Sequence, residues 1–376
     1  MKIPPMPRAL ELARQAQGST SPNPPVGAVV AKDGVVLGEG FTMPPGGNHA
    51  EIGALRQAGD ASQDADLYTT LEPCCTHGRT PPCTGAIISA GIRRVYVAAI
   101  DPNPLVSGRG MDELRTAGIQ VESPQGEDAA AAAELYEAFA KHITTGLPFV
   151  IAKFAMSLDG KIATHTGDSK WVTGTDARGL VQQMRREADA VMVGINTVLA
   201  DDPQLTARDA FGCPLTRQPA RVVLDTNCRM PANARMLGEP GQTIVAVSSL
   251  APSDRISRLE GAGAEIVSCA TGPDGRVDAS ELLVELGRRG IVNLLVEGGG
   301  AVLGSLFDAN HVDKVFAFIA PVIIGGSKAA SPVEGHGSPV MSRAWRLDRV
   351  RMRPVGDDWL VTGYPNRHQY LGMTQE

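Results

Sequence analysis

Aromatic residues are scarce in this chain: 3 Trp, 5 Tyr and 8 Phe make up 4% of its 376 residues. A core must therefore be built from Ala, Val, Leu and Ile, and the apolar types together reach 43%. With 20% charged residues, that balance fits a folded globular protein and excludes a disordered one. Positive charge is in deficit. The 35 Lys and Arg face 41 Asp and Glu, a net of −6, so no basic face is expected to displace counterions from nucleic-acid phosphate. Long hydrophobic runs are missing too. The longest candidate, 315–326, falls short of the ~18 residues a bilayer span needs and contains Pro321. The opening residues carry prolines and charges where a signal peptide needs an apolar centre, which argues against export and for a cytoplasmic protein without a membrane partner. Cysteines number 6, too sparse for a disulfide scaffold.

At roughly 150 residues per domain the length predicts two domains. The first stretch alternates helix and strand signals: helices over 9–17, 50–58, 84–90 and 112–117, each stopped by a glycine, and strands over 26–31, 35–40, 67–71, 95–100 and 119–122. Asp33-Gly34 marks a hairpin between the first two strands. A single helix is expected over 129–143, with Leu135, Phe139 and Ile143 on one stripe. The domain boundary falls near residue 146, giving domains 1–146 and 147–376. The second domain starts a fresh α/β pattern, with strands over 149–156, 190–194, 222–225, 244–248, 265–268, 292–296 and 315–319. Two closing strands lie around Gly356-Asp357-Asp358. The fold class is α/β throughout.

Chemistry concentrates first at His49-Ala50-Glu51, Pro73-Cys74 and Cys83. Catalytic zinc needs three protein ligands and an open position, and one imidazole with two thiolates supplies the three. Bound zinc lowers the pKa of water towards 7, and a glutamate two residues past the histidine can reach that water without binding the metal. Glu51 then moves protons from water to the leaving amine. His-x-Glu followed by Pro-Cys and a later Cys is the pattern of zinc nucleobase deaminases, here with Cys-x8-Cys instead of the usual Cys-x-x-Cys. The alternative is a closed structural site with Cys75 as fourth ligand, which leaves Glu51 without a task.

The run Thr70-Leu71-Glu72-Pro73-Cys74, the insert His77-Gly78-Arg79-Thr80-Pro81-Pro82 before Cys83, Pro22-Asn23-Pro24 and Asp101-Pro102-Asn103-Pro104 resemble the bifunctional riboflavin-biosynthesis deaminase/reductase family. The resemblance covers essentially the whole chain and departs at Cys75, where the family often has a small residue. It implies a cytidine-deaminase-like domain followed by a dihydrofolate-reductase-like domain. The implied reactions are hydrolysis of the exocyclic amino group of a diaminopyrimidinone with a phosphoribosylamino arm, then NADPH reduction of that ribosyl arm to ribityl. By carry-over, His49, Cys74 and Cys83 hold zinc and Glu51 is the proton shuttle. Asn23 is a substrate contact or a turn asparagine. His77 and Arg79 reach the phosphate arm or belong to a solvated loop. A homodimer or homotetramer is implied as well.

In the second domain a buried-strand run is followed by Glu297-Gly298-Gly299-Gly300 and a helical stretch, 301–307. Strand, glycines, helix is the geometry that brings backbone N–H groups to a pyrophosphate, although it is not the Gly-x-Gly-x-x-Gly of doubly wound folds. The resemblance assigns NADPH contacts to Ala155, Trp171, Thr197, Thr226, Gly299, Gly300, Ala301, Val302, Leu303, Gly304 and Ser305. It assigns substrate contacts to Ser169, Arg185, Asp201, Leu205, Arg208 and Glu297. Two arginines suit a phosphate monoester. The plainer alternatives are a solvated helix charge for Arg185 and a core tryptophan for Trp171. Lys153, a charge on an apolar strand, is a candidate proton donor for the reduction. Two rival readings are a deaminase of tRNA or free nucleosides, which leaves the second domain unexplained, and a zinc-stabilised ligand sensor without turnover.

Overall fold

The computed structural model describes residues 4–77, 81–272 and 274–366. The chain divides into two compact units, Met1–Leu147 and Pro148–Glu376.

The first unit runs α1 (Pro5–Ala16), β1 (Gly27–Lys32), β2 (Val35–Phe41), α2 (Ala50–Ala58), β3 (Asp66–Thr69), α3 (Cys83–Ser89), β4 (Arg94–Val97), α4 (Arg109–Thr116), β5 (Gln120–Glu122), α5 (Glu127–Leu135) and α6 (Glu137–Thr145). Its sheet has the order β2-β1-β3-β4-β5, with β1 antiparallel to both neighbours and β3, β4 and β5 parallel. Asp33 and Gly34 both take positive φ, as the tight hairpin between β1 and β2 requires. Glycine decides how the helices seat. A Cβ on Gly27 would lie 1.9 Å from the Ala9 carbonyl, so α1 rests directly on β1. On β2, a Cβ on Gly38 or Gly40 would lie 2.1 Å from the carbonyls of Ala54 and Ala50, so α2 rests on that strand. The core is small aliphatic residues, among them Ala28, Val29, Val30, Leu67, Ile87 and Leu114.

One expectation is corrected here. The helix expected over 129–143 is two helices, broken at Tyr136 (φ −102°, ψ 3°). The cause is a tertiary bond: the Tyr136 hydroxyl is buried and sits 2.5 Å from Thr70 Oγ1. Phe139 is buried while Ile143 is exposed, so the three positions do not share one buried stripe.

The second unit runs β6 (Phe149–Ser157), α7 (Thr175–Glu187), β7 (Ala190–Gly194), α8 (Ile195–Asp201), β8 (Ala220–Leu224), β9 (Thr243–Ser248), α9 (Ser253–Gly261), β10 (Glu265–Cys269), α10 (Ala279–Arg288), β11 (Asn293–Val296), α11 (Gly300–Asp308), β12 (Lys314–Ala320), β13 (Arg346–Val355) and β14 (Asp358–Asn366). The sheet order is β10-β9-β8-β7-β11-β6-β12-β14-β13. The strands from β10 to β12 are parallel, and the β13–β14 hairpin closes the edge antiparallel. β7 and β9 are buried at every position, which is why they read as unbroken apolar runs. β11 returns to lie between β7 and β6, and such a reversal of strand order is where open α/β sheets bind ligands, at the carboxyl ends. Among the described residues no helix is long and apolar enough to cross a membrane.

Candidate active sites

The first site is assembled from three segments of the first unit. His49 stands just before α2 in extended conformation (φ −71°, ψ 160°), Glu51 lies on that helix's first turn, and Cys83 opens α3. Cys74, in the loop after β3, accepts the Cys83 backbone N–H at 3.4 Å. His49 Nδ1 is 3.2 Å from Cys83 Sγ and 3.6 Å from Cys74 Sγ, and the three donor atoms lie within 4.8 Å of one another. Tetrahedral zinc with ordinary Zn–N and Zn–S lengths separates such atoms by about 3.5 Å. The donor set fits zinc in chemistry and in span. Among the described residues this trio is the group of its kind, and Cys75 is not part of it.

The cysteines share charge unequally. The Cys83 thiol, as hydrogen-bond donor, holds Cys74 down at about 4, while Cys83 itself is pushed up by the same bond and by burial. The Cys74 sulfur raises His49. Glu51 is 4% exposed, and burial pushes its carboxyl up to about 7, with the negative Cys74 adding to the effect. A carboxyl poised there can both take and return a proton near neutrality. Glu51 lines a cavity of about 510 Å³ together with His49 and Cys74. Asn23 lines it too, as do Asp101, Asn103, Phe139 and His142. Glu72 lines it as well. Glu72 and Asp101 stand within the sequence motifs without a role given to either, and His142 is not singled out by the sequence. Burial pushes Asp101 up to about 6. His142 Nδ1 is buried and makes no hydrogen bond among the described residues. His77 is described and exposed, whereas the Arg79 expectation lies outside the described residues.

The second site sits at the carboxyl end of the parallel sheet. Ala155, Ser169, Trp171, Thr197, Asp201, Glu297, Gly299, Gly300 and Leu303 all line one cavity of about 270 Å³, joined by Lys153. Gly298 (φ 138°) and Gly299 (φ 78°) carry β11 into α11 in backbone conformations that favour glycine. A Cβ on Gly299 would meet Thr197 Oγ1 only at an ordinary 3.6 Å, so it is the positive φ that calls for glycine beside the N-terminus of α11. That arrangement fits a dinucleotide pyrophosphate. Ala301, Val302, Gly304 and Ser305 continue along α11, and Gly304 presses on the Glu334 backbone, where a Cβ would come within 2.2 Å of the carbonyl. Thr226 lies apart from the cavity lining. Its hydroxyl accepts the Val277 N–H at 3.2 Å.

Trp171 is 73% exposed at φ 55°, with the Arg178 guanidinium 4.5 Å from its ring centre, so it is not a core tryptophan. Arg185 is not a solvated charge either. It grips Glu297 through two bonds of 2.5 and 2.9 Å, and its third nitrogen donates to the Thr206 carbonyl at 3.3 Å. Arg208 donates to Thr206 Oγ1 at 2.9 Å, so the two arginines converge on one residue. Ser169 donates to Asp201 at 3.0 Å, and Leu205 is buried at φ 53°. Burial, the largest single effect, would raise Glu297, but the Arg185 charge, the Arg185 hydrogen bonds and the Lys153 charge together outweigh it and hold the carboxyl below its ordinary value. Lys153 is lowered by burial, against the pull of Glu297.

Known proteins match this chain over about 95% of its length. Residues 4–99 match the cytidine and deoxycytidylate deaminase zinc-binding region, and residues 148–361 match the RibD C-terminal domain. Riboflavin biosynthesis protein RibD of Actinobacillus pleuropneumoniae is 39% identical over 358 residues, covering 95% of this chain and 93% of the relative. The structure of Acinetobacter baumannii RibD superposes with a TM-score of 0.82 at 36% identity, covering 96% of this chain and 98% of that one. A Thermotoga maritima protein described as a diaminohydroxyphosphoribosylaminopyrimidine deaminase/5-amino-6-(5-phosphoribosylamino)uracil reductase superposes at 0.81 with 38% identity, covering 96% and 97%.

Proposed function

The chain belongs to the RibD family, and on that premise we propose how its two units divide the bifunctional deaminase/reductase chemistry of riboflavin biosynthesis. The first unit hydrolyses the exocyclic amino group of a phosphorylated diaminopyrimidinone, adding the oxygen of water and releasing ammonia. The second reduces the ribosyl arm of the deaminated product to ribityl. The observation that carries the reading is the convergence of His49, Cys74 and Cys83 within 4.8 Å beside a buried Glu51 in one cavity.

His49, Cys74 and Cys83 hold the metal. Zinc bound there supplies Lewis acidity that makes water a nucleophile at neutral pH. Glu51 takes the proton from water and returns one to the amine as it leaves. Asn23, which lines the same cavity, orients the pyrimidine. In the second unit NADPH supplies hydride. The chain contributes position and exclusion of water: Ala155, Trp171, Thr197, Gly299 and Gly300, with the remainder of 301–305 and Thr226, hold the cofactor. Ser169, Asp201, Leu205, Arg208 and the Arg185–Glu297 pair hold the substrate. Reduction requires one proton besides the hydride, and Lys153 donates it; its lining of the same cavity as Glu297 supports that role. A cytoplasmic location and a homodimeric or homotetrameric state belong to the same proposal. Light scattering on the purified protein reads the assembly.

The deciding experiment compares the wild-type protein with Glu51→Gln. Wild type should release ammonia from the diaminopyrimidinone and then oxidise NADPH. Glu51→Gln should keep its zinc, lose deamination by at least ~10²-fold, and still oxidise NADPH when given the deaminated intermediate. Deamination that survives in this variant would remove Glu51 from its role.

A further inference from the structure

Glu72 stands two positions before the metal ligand Cys74 and is 3% exposed. Its carboxylate is saturated by backbone. Oε2 accepts the N–H groups of Asp101 (3.2 Å) and Gly108 (2.9 Å), and Oε1 accepts those of Gly110 (2.9 Å) and Met111 (3.3 Å). Its own N–H donates to the Ala99 carbonyl at 2.9 Å. Gly108, Gly110 and Met111 form the N-terminus of α4, whose unpaired donors and positive end favour a carboxylate. Charge-assisted bonds of this kind are the strong ones. The segment spanned by the four bonds includes Asp101, Asn103 and Val106, one wall of the deaminase cavity.

We propose that Glu72 is a positioning residue of the deaminase site, a strap that fixes the 101–108 wall at a set distance from the metal ligand Cys74. The inference rests on the deaminase reading above. The reacting amine must reach His49, Cys74 and Cys83, so the remainder of the substrate extends along the walls. A wall that drifts weakens binding of that remainder without altering proton transfer at Glu51. Gly110 supplies an independent sign of how closely the parts are joined. A Cβ there would lie 2.1 Å from the Pro73 carbonyl and 3.3 Å from Glu72 Oε1, so the start of α4 bears on the backbone next to Cys74.

Glu72→Gln tests the strap. Whichever way the new amide sits, its NH2 meets a pair of N–H donors, so two of the four bonds are lost while volume is kept. Zinc content should stay at one per chain and deaminase kcat within about threefold, while KM rises roughly tenfold, because misplacement away from the reacting atoms acts on binding and alignment. Amide hydrogen exchange at Asp101, Gly108, Gly110 and Met111 should accelerate. An unchanged KM with unchanged exchange overturns the proposal. So does loss of zinc with a fall in kcat at constant KM, which would make Glu72 a support for Cys74 alone. Should Glu72→Gln not fold, Gly110→Ala wedges the same joint with Glu72 in place and should show the same KM rise; wild-type KM in that variant also overturns it. Absence of deamination in the wild type would count against the parent reading instead, and the exchange measurement would still decide the strap.

Discussion

Arg185 and Glu297 are a buried pair, 16% and 6% exposed at their side chains, and removing one partner leaves the other charge unpaired. Glu297→Gln should destabilise the second unit by about 3 kcal/mol at neutral pH, measured by denaturant titration. The pH dependence follows from the sign of the shift. Glu297 is held below its ordinary value, so its stabilisation is full above the unfolded carboxyl pKa of about 4.3 and fades as pH falls through the lower folded value. Wild type and Glu297→Gln should therefore converge in stability at acid pH, and parallel curves down to pH 3 would refute the assignment. Lys153→Met should lower reductase kcat by about 10² with circular dichroism and deamination unchanged; retained NADPH turnover would exclude Lys153 as proton donor. At this scale the sequence reveals residues whose chemistry forces type and spacing, such as His49, Glu51, Cys74 and Cys83. It conceals Glu72, because its four partners are backbone N–H groups that no side-chain pattern marks. The Arg185–Glu297 bond joins positions 112 apart, which periodicity cannot report.

Between residue and molecule, close packing of helix on strand sets the metal site. Gly40 is the case that matters, because its missing Cβ lets the Ala50 carbonyl approach, and Ala50 separates His49 from Glu51. Gly40→Ala would drive backbone against Cβ at 2.1 Å, and α2 must shift. The expected result is a loss of about 1–3 kcal/mol in the first unit together with weaker zinc retention in a chelator titration. Normal zinc affinity in a folded Gly40→Ala protein would show that the ligands do not depend on this seating. Most elements could be read from apolar periodicity and glycine stops, since β7, β9 and the Asp33-Gly34 hairpin obey local rules. The split of 129–143 into α5 and α6 could not. Glu134, Leu135, Glu137 and Ala138 around the break all favour helix, and the break comes from Tyr136 reaching Thr70, a partner 66 positions away.

Among the described residues, the apolar cluster running from Met6 to Tyr136 and the one running from Ala177 to Leu360 share no residue. All three metal ligands come from the first unit, and the glycine cradle with the Arg185–Glu297 pair comes from the second. Stabilisation by a bound metal acts only on the unit that binds it, and at a free concentration 100 times Kd it amounts to about 2.7 kcal/mol. Stripping zinc should therefore lower the melting temperature of one calorimetric transition and leave the other in place. Deamination should vanish, while NADPH oxidation with the deaminated intermediate stays within about twofold of the zinc-loaded protein, because every residue assigned to the reduction lies in the second unit. Zinc added back should restore both the transition and ammonia release. A chelator that silences the reductase as well, or shifts both transitions together, would mean that the second unit depends on the folded first, and the division of labour proposed for the two halves would have to be redrawn.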